Sequence, residues 1–185
     1  MTGTPLVVLD ACVLANFSLC DTLLRLAEPP RLFEPKWSEE IIRETTRTLK
    51  LKLGWPDSLT AHFETELRAH FSEAWISGYE PLIPRMTNDE KDRHLVAAAV
   101  HGEAAIILTL NLRHFRPEHL VTWGVRALHP QSFLIEIFHQ EQASVMTKLE
   151  QQAADRGRSL RQLLEILNGT VPDFAAIVSA AIARE

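Results

Sequence analysis

The chain has 185 residues, of which 46% are hydrophobic and 23% charged, a composition typical of a globular protein and unlike that of a disordered segment. No apolar run approaches the ~20 residues of a membrane span, and the N-terminus lacks a signal-peptide pattern, so we expect a cytoplasmic protein with no membrane partner. The formal net charge of −5 excludes a strongly basic nucleic-acid-binding protein, so any binding to a polyanion must depend on a local basic patch.

Short apolar runs alternate along the chain with longer segments of helical spacing. In chain order, the predicted elements are a strand at 6–9, a helix at 12–27, a brief strand at 31–33, helices at 39–53, 57–74 and 89–101, strands at 105–108 and 125–128, and helices at 131–153, 159–167 and 173–184. Strands separated by helices favour an α/β fold in which a parallel sheet is covered on both faces. Ligands bind such sheets at the carboxyl ends of the strands, where Asp10 and residues 109–111 lie.

Local signals predict where several helices begin and end. Ser38 is a suitable N-cap for the helix at 39–53, and Gly54 is suited to end that helix. Asn88 or Asp89 is expected to cap the helix that precedes Gly102. The two cysteines, Cys12 and Cys20, fall in one predicted helix, and we interpret both as small packing residues because two thiols alone make no zinc site.

Helical phase, at ~100° per residue, directs two further carboxylates toward the protein interior. Asp92 lies on the apolar face of the helix at 89–101, although it could instead be a helix cap. Glu44 lies within the apolar arc of the helix at 39–53, although it could equally be a solvated residue paired with basic neighbours on that helix.

Asp10, Glu44 and Asp92 together indicate a cation site. Three carboxylates in one pocket of low dielectric constant repel one another, and they coexist most easily around a divalent cation. An all-oxygen ligand set without a His or Cys cluster favours Mg²⁺ or Mn²⁺. A water molecule on such an ion can attack phosphorus, so the pattern is typical of phosphodiester hydrolysis.

Four blocks of this sequence resemble the PIN-domain ribonucleases, in the order in which that family carries them. They are VVLDACVLANF, SEEIIRETTRTL, DEKDRHLVAAAVHGEAAIILT and TLNLRHF, and the later segment VRALHPQSFL resembles the family's last core strand followed by a helix. The resemblance implies a three-layer α/β/α fold with a central parallel sheet. It also implies a Mg²⁺- or Mn²⁺-dependent endoribonuclease that cuts single-stranded RNA. Many bacterial members are VapC-like toxins, which implies a cognate antitoxin and favours a homodimer.

The resemblance also assigns site residues, which are Asp10, Glu44, Asp92 and Asn111 as catalytic positions, the first three of them as metal ligands, and Thr109 as a supporting residue. Many members carry Asp where this chain has His114, and Ser, Thr or Asn where it has Cys12. The fourth position of the motif, Asn111, is therefore less acidic than in many relatives. The sequence leaves two alternatives, an active site that binds one metal ion and one that binds two. His114 could contact phosphate, assist a proton transfer or lie in a loop.

Basic side chains near these positions are candidates for binding the RNA backbone, and a solvated helix face explains each of them equally well. They are Arg43, Arg47, Arg93, Arg113 and Arg116.

The chain is expected to have two parts. Residues 1–138 would form the PIN-like nuclease domain, and residues 139–185 would form a helical extension that packs on this domain or on a partner. The net negative charge and the weakly acidic fourth position also favour a second hypothesis. In this hypothesis the fold is a catalytically weak binding module, and its acidic pocket receives a basic side chain of a partner protein.

Overall fold

A computed structural model describes residues 3–184, which form a five-stranded parallel sheet packed against helices. The strands are β1 (Leu6–Leu9), β2 (Glu34–Ser38), β3 (Trp75–Ile76), β4 (Ile106–Leu108) and β5 (Arg126–Leu128). They lie across the sheet in the order β3-β2-β1-β4-β5, and every pairing is parallel. The predicted three-layer α/β/α architecture is confirmed, and the central strand β1 carries Asp10 at its carboxyl end.

Helices connect and cover these strands. They are α1 (Ala11–Leu14), α2 (Phe17–Ala27), α3 (Glu39–Leu53), α4 (Asp57–His70), α5 (Arg93–His101), α6 (Pro117–Leu120), α7 (Pro130–Gln140), α8 (Gln142–Asp155), α9 (Leu160–Leu167) and α10 (Pro172–Ile182). A short 3₁₀ turn at Glu90–Asp92 precedes α5, and another at Leu112–His114 follows β4. Both contribute residues to the site described below.

The helix predicted at 12–27 is two helices, because Asn16 interrupts it. The Asn16 side chain accepts a hydrogen bond from the backbone N of Leu19 at 3.4 Å and so caps α2. Its Nδ2 atom also donates to Thr170 Oγ1 at 2.9 Å. Cys12 and Cys20 therefore lie on different helices. The helix predicted at 131–153 is likewise divided, at Glu141.

The strand predicted at 31–33 lies instead at Glu34–Ser38, whose sequence EPKWS contains a proline and a lysine. Because this strand contains several polar residues, a search for apolar runs in the sequence does not identify it. Strand β3 pairs only with Trp37 and Ser38, so Pro35, which has no N–H to donate, lies outside that ladder. Trp37 is fully buried, and tertiary packing rather than local pattern therefore accounts for this strand.

Both predicted ends of α3 are confirmed. Ser38 Oγ accepts a hydrogen bond from the backbone N of Ile41 at 3.3 Å, and Gly54 ends the helix with φ of +67°. This left-handed conformation suits glycine because a Cβ atom there would approach the following carbonyl oxygen.

Gly54→Ala is expected to lower the free energy of unfolding by about 1 kcal/mol, the cost of a left-handed backbone for a residue with a side chain. No other atom lies within 4 Å of the added Cβ, so the loss would come from the backbone alone. Urea unfolding measures it, with Gly54→Asn as the matched variant, because asparagine tolerates this conformation better. Equal losses in the two variants would contradict the explanation.

The C-terminal helices contribute to the apolar core that also contains the sheet. Their fully buried side chains include Val145, Phe174 and Val178. Polar contacts join α8 to α2, since Thr22 Oγ1 donates to Gln152 Oε1 at 2.9 Å and Lys148 Nζ donates to the carbonyl oxygen of Arg25 at 2.7 Å. The division into a domain at 1–138 and an extension at 139–185 stays a prediction. Among residues 3–184, no helix is both long and apolar enough to span a bilayer.

Candidate active site

Asp10 is the first residue after β1, and this residue is buried, with 5% of its surface exposed. The backbone N of Asp10 donates to the carbonyl oxygen of Leu108 at 3.0 Å, which holds the residue against the end of β4. Its Oδ2 atom accepts hydrogen bonds from Thr109 Oγ1 at 2.6 Å and from Cys12 Sγ at 3.0 Å. These contacts fix the position of a buried carboxylate. Among residues 3–184, Oδ1 has only a long contact of 3.4 Å from the backbone N of Cys12.

Hydrogen bonds continue from Thr109 along the loop after β4. Thr109 is fully buried, and its Oγ1 atom accepts a hydrogen bond from the backbone N of Asn111 at 3.0 Å. The backbone N of His114 in turn donates to the carbonyl oxygen of Asn111 at 3.0 Å. The Asn111 side chain is exposed beside this loop. The predicted residues Asp10, Thr109, Asn111 and His114 are therefore part of one hydrogen-bonded structure.

Asp92 joins this structure through His114. The Nδ1 atom of His114 lies 2.7 Å from Asp92 Oδ2, and Arg113 Nε donates to His114 Nε2 at 3.1 Å. Because a guanidinium group can only donate, Nε2 is the acceptor and Nδ1 carries the hydrogen that is donated to Asp92. His114 therefore connects the carboxylate of Asp92 to the guanidinium group of Arg113. Of the roles considered from the sequence, a loop residue without contacts at the site does not describe it.

Asp92 occupies the N-cap position of α5, but its side chain makes no capping hydrogen bond within residues 3–184. The cap of the preceding 3₁₀ turn is Asp89, whose Oδ1 accepts a hydrogen bond from the backbone N of Lys91 at 3.2 Å. Burial raises the pKa of Asp92, and the hydrogen bond from His114 opposes this rise, whereas the negative charges of Asp10 and Asp89 add to it. Asp92 is therefore a partly buried carboxylate in which burial and neighbouring negative charge both favour the protonated form.

Glu44 lies on α3, and its side chain is 44% exposed. Its Oε2 atom is 3.4 Å from Nε2 of His94, a buried residue of α5. Burial lowers the pKa of His94, but the neighbouring carboxylates of Glu44 and Glu40 outweigh burial, so the pKa is raised. Glu44 on α3 therefore contacts α5 at His94, which lies two residues after Asp92 in the sequence.

The donor atoms at this edge of the sheet suit a divalent cation. Within residues 3–184, ligand atoms lie within 4.8 Å of one another in two groups, which are Asp89, Asp92 and His114, and Glu40, Glu44 and His94. Asp10 is in neither group, and it is connected to the first group through Thr109, the turn after β4 and His114. A concentration of carboxylates with like charge is the arrangement that a hard cation stabilises. That Asp10, Glu44 and Asp92 share a single ion stays a prediction.

The candidate RNA-binding arginines lie on α3, at the start of α5, and in and after the turn that follows β4. Arg43 and Arg47 are exposed on α3, and Arg113 and Arg116 are exposed in and after the turn that follows β4. Arg93 is half-buried, and its Nε atom donates to the carbonyl oxygen of Asn88 at 3.3 Å. Their role in binding RNA stays a prediction.

Two residues at the site were not singled out from the sequence. Cys12 was interpreted as a packing residue, but its Sγ atom donates to Asp10 and also accepts a hydrogen bond from the backbone N of Leu110 at 3.3 Å. Burial and the charge of Asp10 raise the pKa of Cys12 to about 12, so the thiol keeps the proton that it donates. His94 was overlooked, although a histidine that begins the apolar run HLVAAAV was a visible signal of a buried polar group.

A curated protein of Mycobacterium tuberculosis (strain ATCC 25618 / H37Rv), named "Putative ribonuclease VapC50", is 35% identical to this chain over 133 residues. The matched region spans 70% of this chain and 77% of the relative. No family model matches the sequence, and no solved structure matches it. Similarity over most of both chains agrees with the parallel sheet and with the carboxylates at its edge, and the chain therefore belongs to the VapC-like PIN-domain ribonucleases.

Proposed function

We propose that this protein is a Mg²⁺- or Mn²⁺-dependent endoribonuclease that cleaves single-stranded RNA and acts as the toxin of a toxin–antitoxin pair. The proposal is supported by the chain of hydrogen bonds that connects Asp10 and Asp92, which are distant in sequence. Thr109 donates to Asp10, the turn after β4 leads from Thr109 to His114, and His114 donates to Asp92. The name of the mycobacterial relative supports the ribonuclease class. The metal, the single-stranded substrate and the toxin role are supported by the family resemblance.

Asp10 and Asp92 are the residues that would hold the ion, and Glu44 is the third predicted ligand. When bound, the cation supplies an activated water molecule and neutralises charge on the phosphate. Thr109 and Cys12 keep the Asp10 carboxylate in one orientation, so little rearrangement is needed when the ion and the substrate bind. In the proposed reaction, water attacks phosphorus in line, the bond from phosphorus to the 3′ oxygen breaks, and a 5′ phosphate remains.

Asn111 and the arginines are suited to hold the RNA. The exposed amide of Asn111 can orient a phosphate oxygen or the attacking water, because it carries both a donor and an acceptor. Arg113 is exposed and already contacts His114, so its remaining N–H groups can contact a phosphate close to Asp92. Basic residues grouped near the carboxylates would offset the net negative charge of the chain.

Asp92→Asn is expected to reduce cleavage by more than about 100-fold, because even residues that only support metal ligands contribute 10- to 100-fold. Cleavage of a mixed-sequence single-stranded RNA is followed with Mg²⁺, with Mn²⁺ and with EDTA. The matched control is Glu90→Gln, which makes the same change of charge at an exposed residue of the same turn. We expect the control to cleave as fast as wild type and EDTA to abolish cleavage.

Equal cleavage by Asp92→Asn and wild type would contradict the metal-ligand role. The second hypothesis, a binding module, is favoured by a different set of results. These are no cleavage by wild type, no affinity for Mn²⁺ at millimolar concentration, and a tight complex with a partner protein that is lost when a basic residue of the partner is replaced.

The proposed partners follow from the same family. A cognate antitoxin could inhibit the enzyme by placing a basic side chain against Asp10 and Asp92, because these carboxylates repel each other and an added cation relieves the repulsion. A homodimer and a cytoplasmic location are further parts of this proposal.

A further inference from the structure

His94 is a buried histidine whose Nε2 atom has no hydrogen-bond partner within residues 3–184. The residue is 5% exposed, and its Nδ1 atom lies 2.9 Å from the carbonyl oxygen of Lys91. Because a carbonyl oxygen only accepts, Nδ1 carries a ring hydrogen, and a metal ion bound at Nε2 would take the place of a proton there. Buried polar atoms are normally hydrogen-bonded, and a buried nitrogen atom without such a partner is available to bind an ion.

The Nε2 atom of His94 faces the carboxylate of Glu44, and Glu40 lies beside them. Glu44 Oε2 is 3.4 Å from Nε2. One ligand atom from each of Glu40, Glu44 and His94 lies within 4.8 Å of the other two. A charge-assisted hydrogen bond between these groups would be about 2.8 Å long. Two ligands of one tetrahedral ion, each at about 2.1 Å from the metal, are instead about 3.4 Å apart. The observed separation therefore suits two ligands of a shared ion better than a direct bond.

Neighbouring residues support the orientation that metal ligands need. The hydrogen bond from Nδ1 of His94 to a backbone carbonyl group is the usual second contact of a metal-binding histidine. The hydroxyl group of the buried Tyr79 lies 3.3 Å from Glu40 Oε2 and 3.2 Å from Ser38 Oγ, so it can steady the Glu40 carboxylate. The partly exposed side chain of Glu44 leaves a path from solvent to the group.

We propose that His94, Glu40 and Glu44 form a second cation site, which prefers Zn²⁺ or a similar transition-metal ion to Mg²⁺. Imidazole nitrogen is a ligand for such ions, whereas Mg²⁺ prefers oxygen ligands alone. Three protein ligands leave one position of a tetrahedral ion for water. The site is distinct from the group at Asp10 and Asp92, and its existence does not depend on the proposed nuclease activity. Glu44 is the one residue that the two sites could share.

The direct measurement is a Zn²⁺ titration of the full chain in excess Mg²⁺, which competes for the carboxylates of Asp10 and Asp92. Long-range ¹H–¹⁵N spectra report the state of the His94 ring, and calorimetry reports affinity and stoichiometry. We expect one equivalent of Zn²⁺ to shift the Nε2 signal of His94 while Nδ1 keeps its hydrogen. A His94 ring that carries both hydrogens and does not change at millimolar Zn²⁺ would overturn the proposal.

Variants separate this site from the catalytic group. His94→Gln and Glu40→Gln are each expected to lose the Zn²⁺ site, and Glu40→Gln serves if the buried His94→Gln does not fold. Tyr79→Phe is expected to weaken Zn²⁺ binding by about 10-fold or more, the usual effect of removing an outer contact to a ligand. The matched control is His101→Gln, an exposed histidine at the far end of α5, which should bind as wild type does.

Asp92→Asn distinguishes the two proposals. We expect it to lose RNA cleavage and to keep the Zn²⁺ site. Zn²⁺ binding that survives in both His94→Gln and Glu40→Gln but is lost in Asp92→Asn would refute the second site and leave the nuclease proposal intact.

Discussion

Asp10→Asn is expected to reduce RNA cleavage by more than about 100-fold, equivalent to about 2.7 kcal/mol of transition-state stabilisation, without lowering the stability of the metal-free protein. Asparagine keeps an oxygen that can accept the hydrogen bond from Thr109, so the local structure should be retained. It removes the negative charge that raises the pKa of Asp92, and this relieves repulsion between the two carboxylates. Loss of activity without loss of stability is the behaviour of a functional charge rather than a structural one.

Three measurements check this prediction. Cleavage rates and the midpoint of thermal unfolding in EDTA compare the variant with wild type, and NMR titration follows Asp92, whose pKa should fall when the Asp10 charge is removed. The matched control is Asp57→Asn, which removes an exposed carboxylate at the start of α4. A variant that unfolds markedly earlier than wild type, or an unchanged pKa of Asp92, would show that Asp10 has a mainly structural role.

Phe174→Ala is expected to lower the free energy of unfolding by about 3–5 kcal/mol, the usual cost of removing a fully buried aromatic side chain. Phe174 on α10 has no exposed surface, and its ring packs edge-to-face against Phe138 of α7 with a centroid separation of 6.2 Å. The residue lies in the proposed extension, and Phe138 is the last residue of the proposed nuclease domain. The cost should therefore be shared by both parts of the chain.

Urea unfolding monitored by tryptophan fluorescence and by far-UV circular dichroism tests this expectation. Each method should report one transition at the same, lowered midpoint, because the four tryptophans all precede residue 139. The control Ile166→Ala truncates a partly exposed residue of α9 and should cost much less. Two separate transitions, with only one of them shifted, would mean that residues 139–185 unfold as an independent unit.

Local sequence was sufficient for the features that depend on neighbouring residues. The apolar run at β1 followed by Asp10 placed a carboxylate at the sheet edge, and the run at β4 followed by Thr109 placed the second strand end. Ser38 and Gly54 marked the ends of α3, since capping depends on backbone groups within one helical turn. Hydrophobic spacing alone was enough to distinguish helices from strands in most of the chain.

Features that depend on distant contacts were not predictable in this way. Strand β2 has a polar sequence with a proline, and it forms because β1 and β3 pair with it and because Trp37 is buried. The helix is interrupted at Asn16 because the side chain of this residue caps α2. An asparagine within an apparently continuous helical pattern does not by itself indicate such a cap. The contact between His114 and Asp92 required the turn after β4 to meet the start of α5.

The sequence by itself determined the class of fold, the order of its main elements and the carboxylates available for chemistry, because these depend on residue type and local spacing. Only the tertiary structure decided how these carboxylates are held. Thr109 and Cys12 position Asp10, His114 holds Asp92, and His94 faces Glu44, in pairings across separate elements of the chain. The physical reason is that hydrogen bonds and ion pairs act over a few ångströms, and only folding brings residues far apart in sequence within that distance.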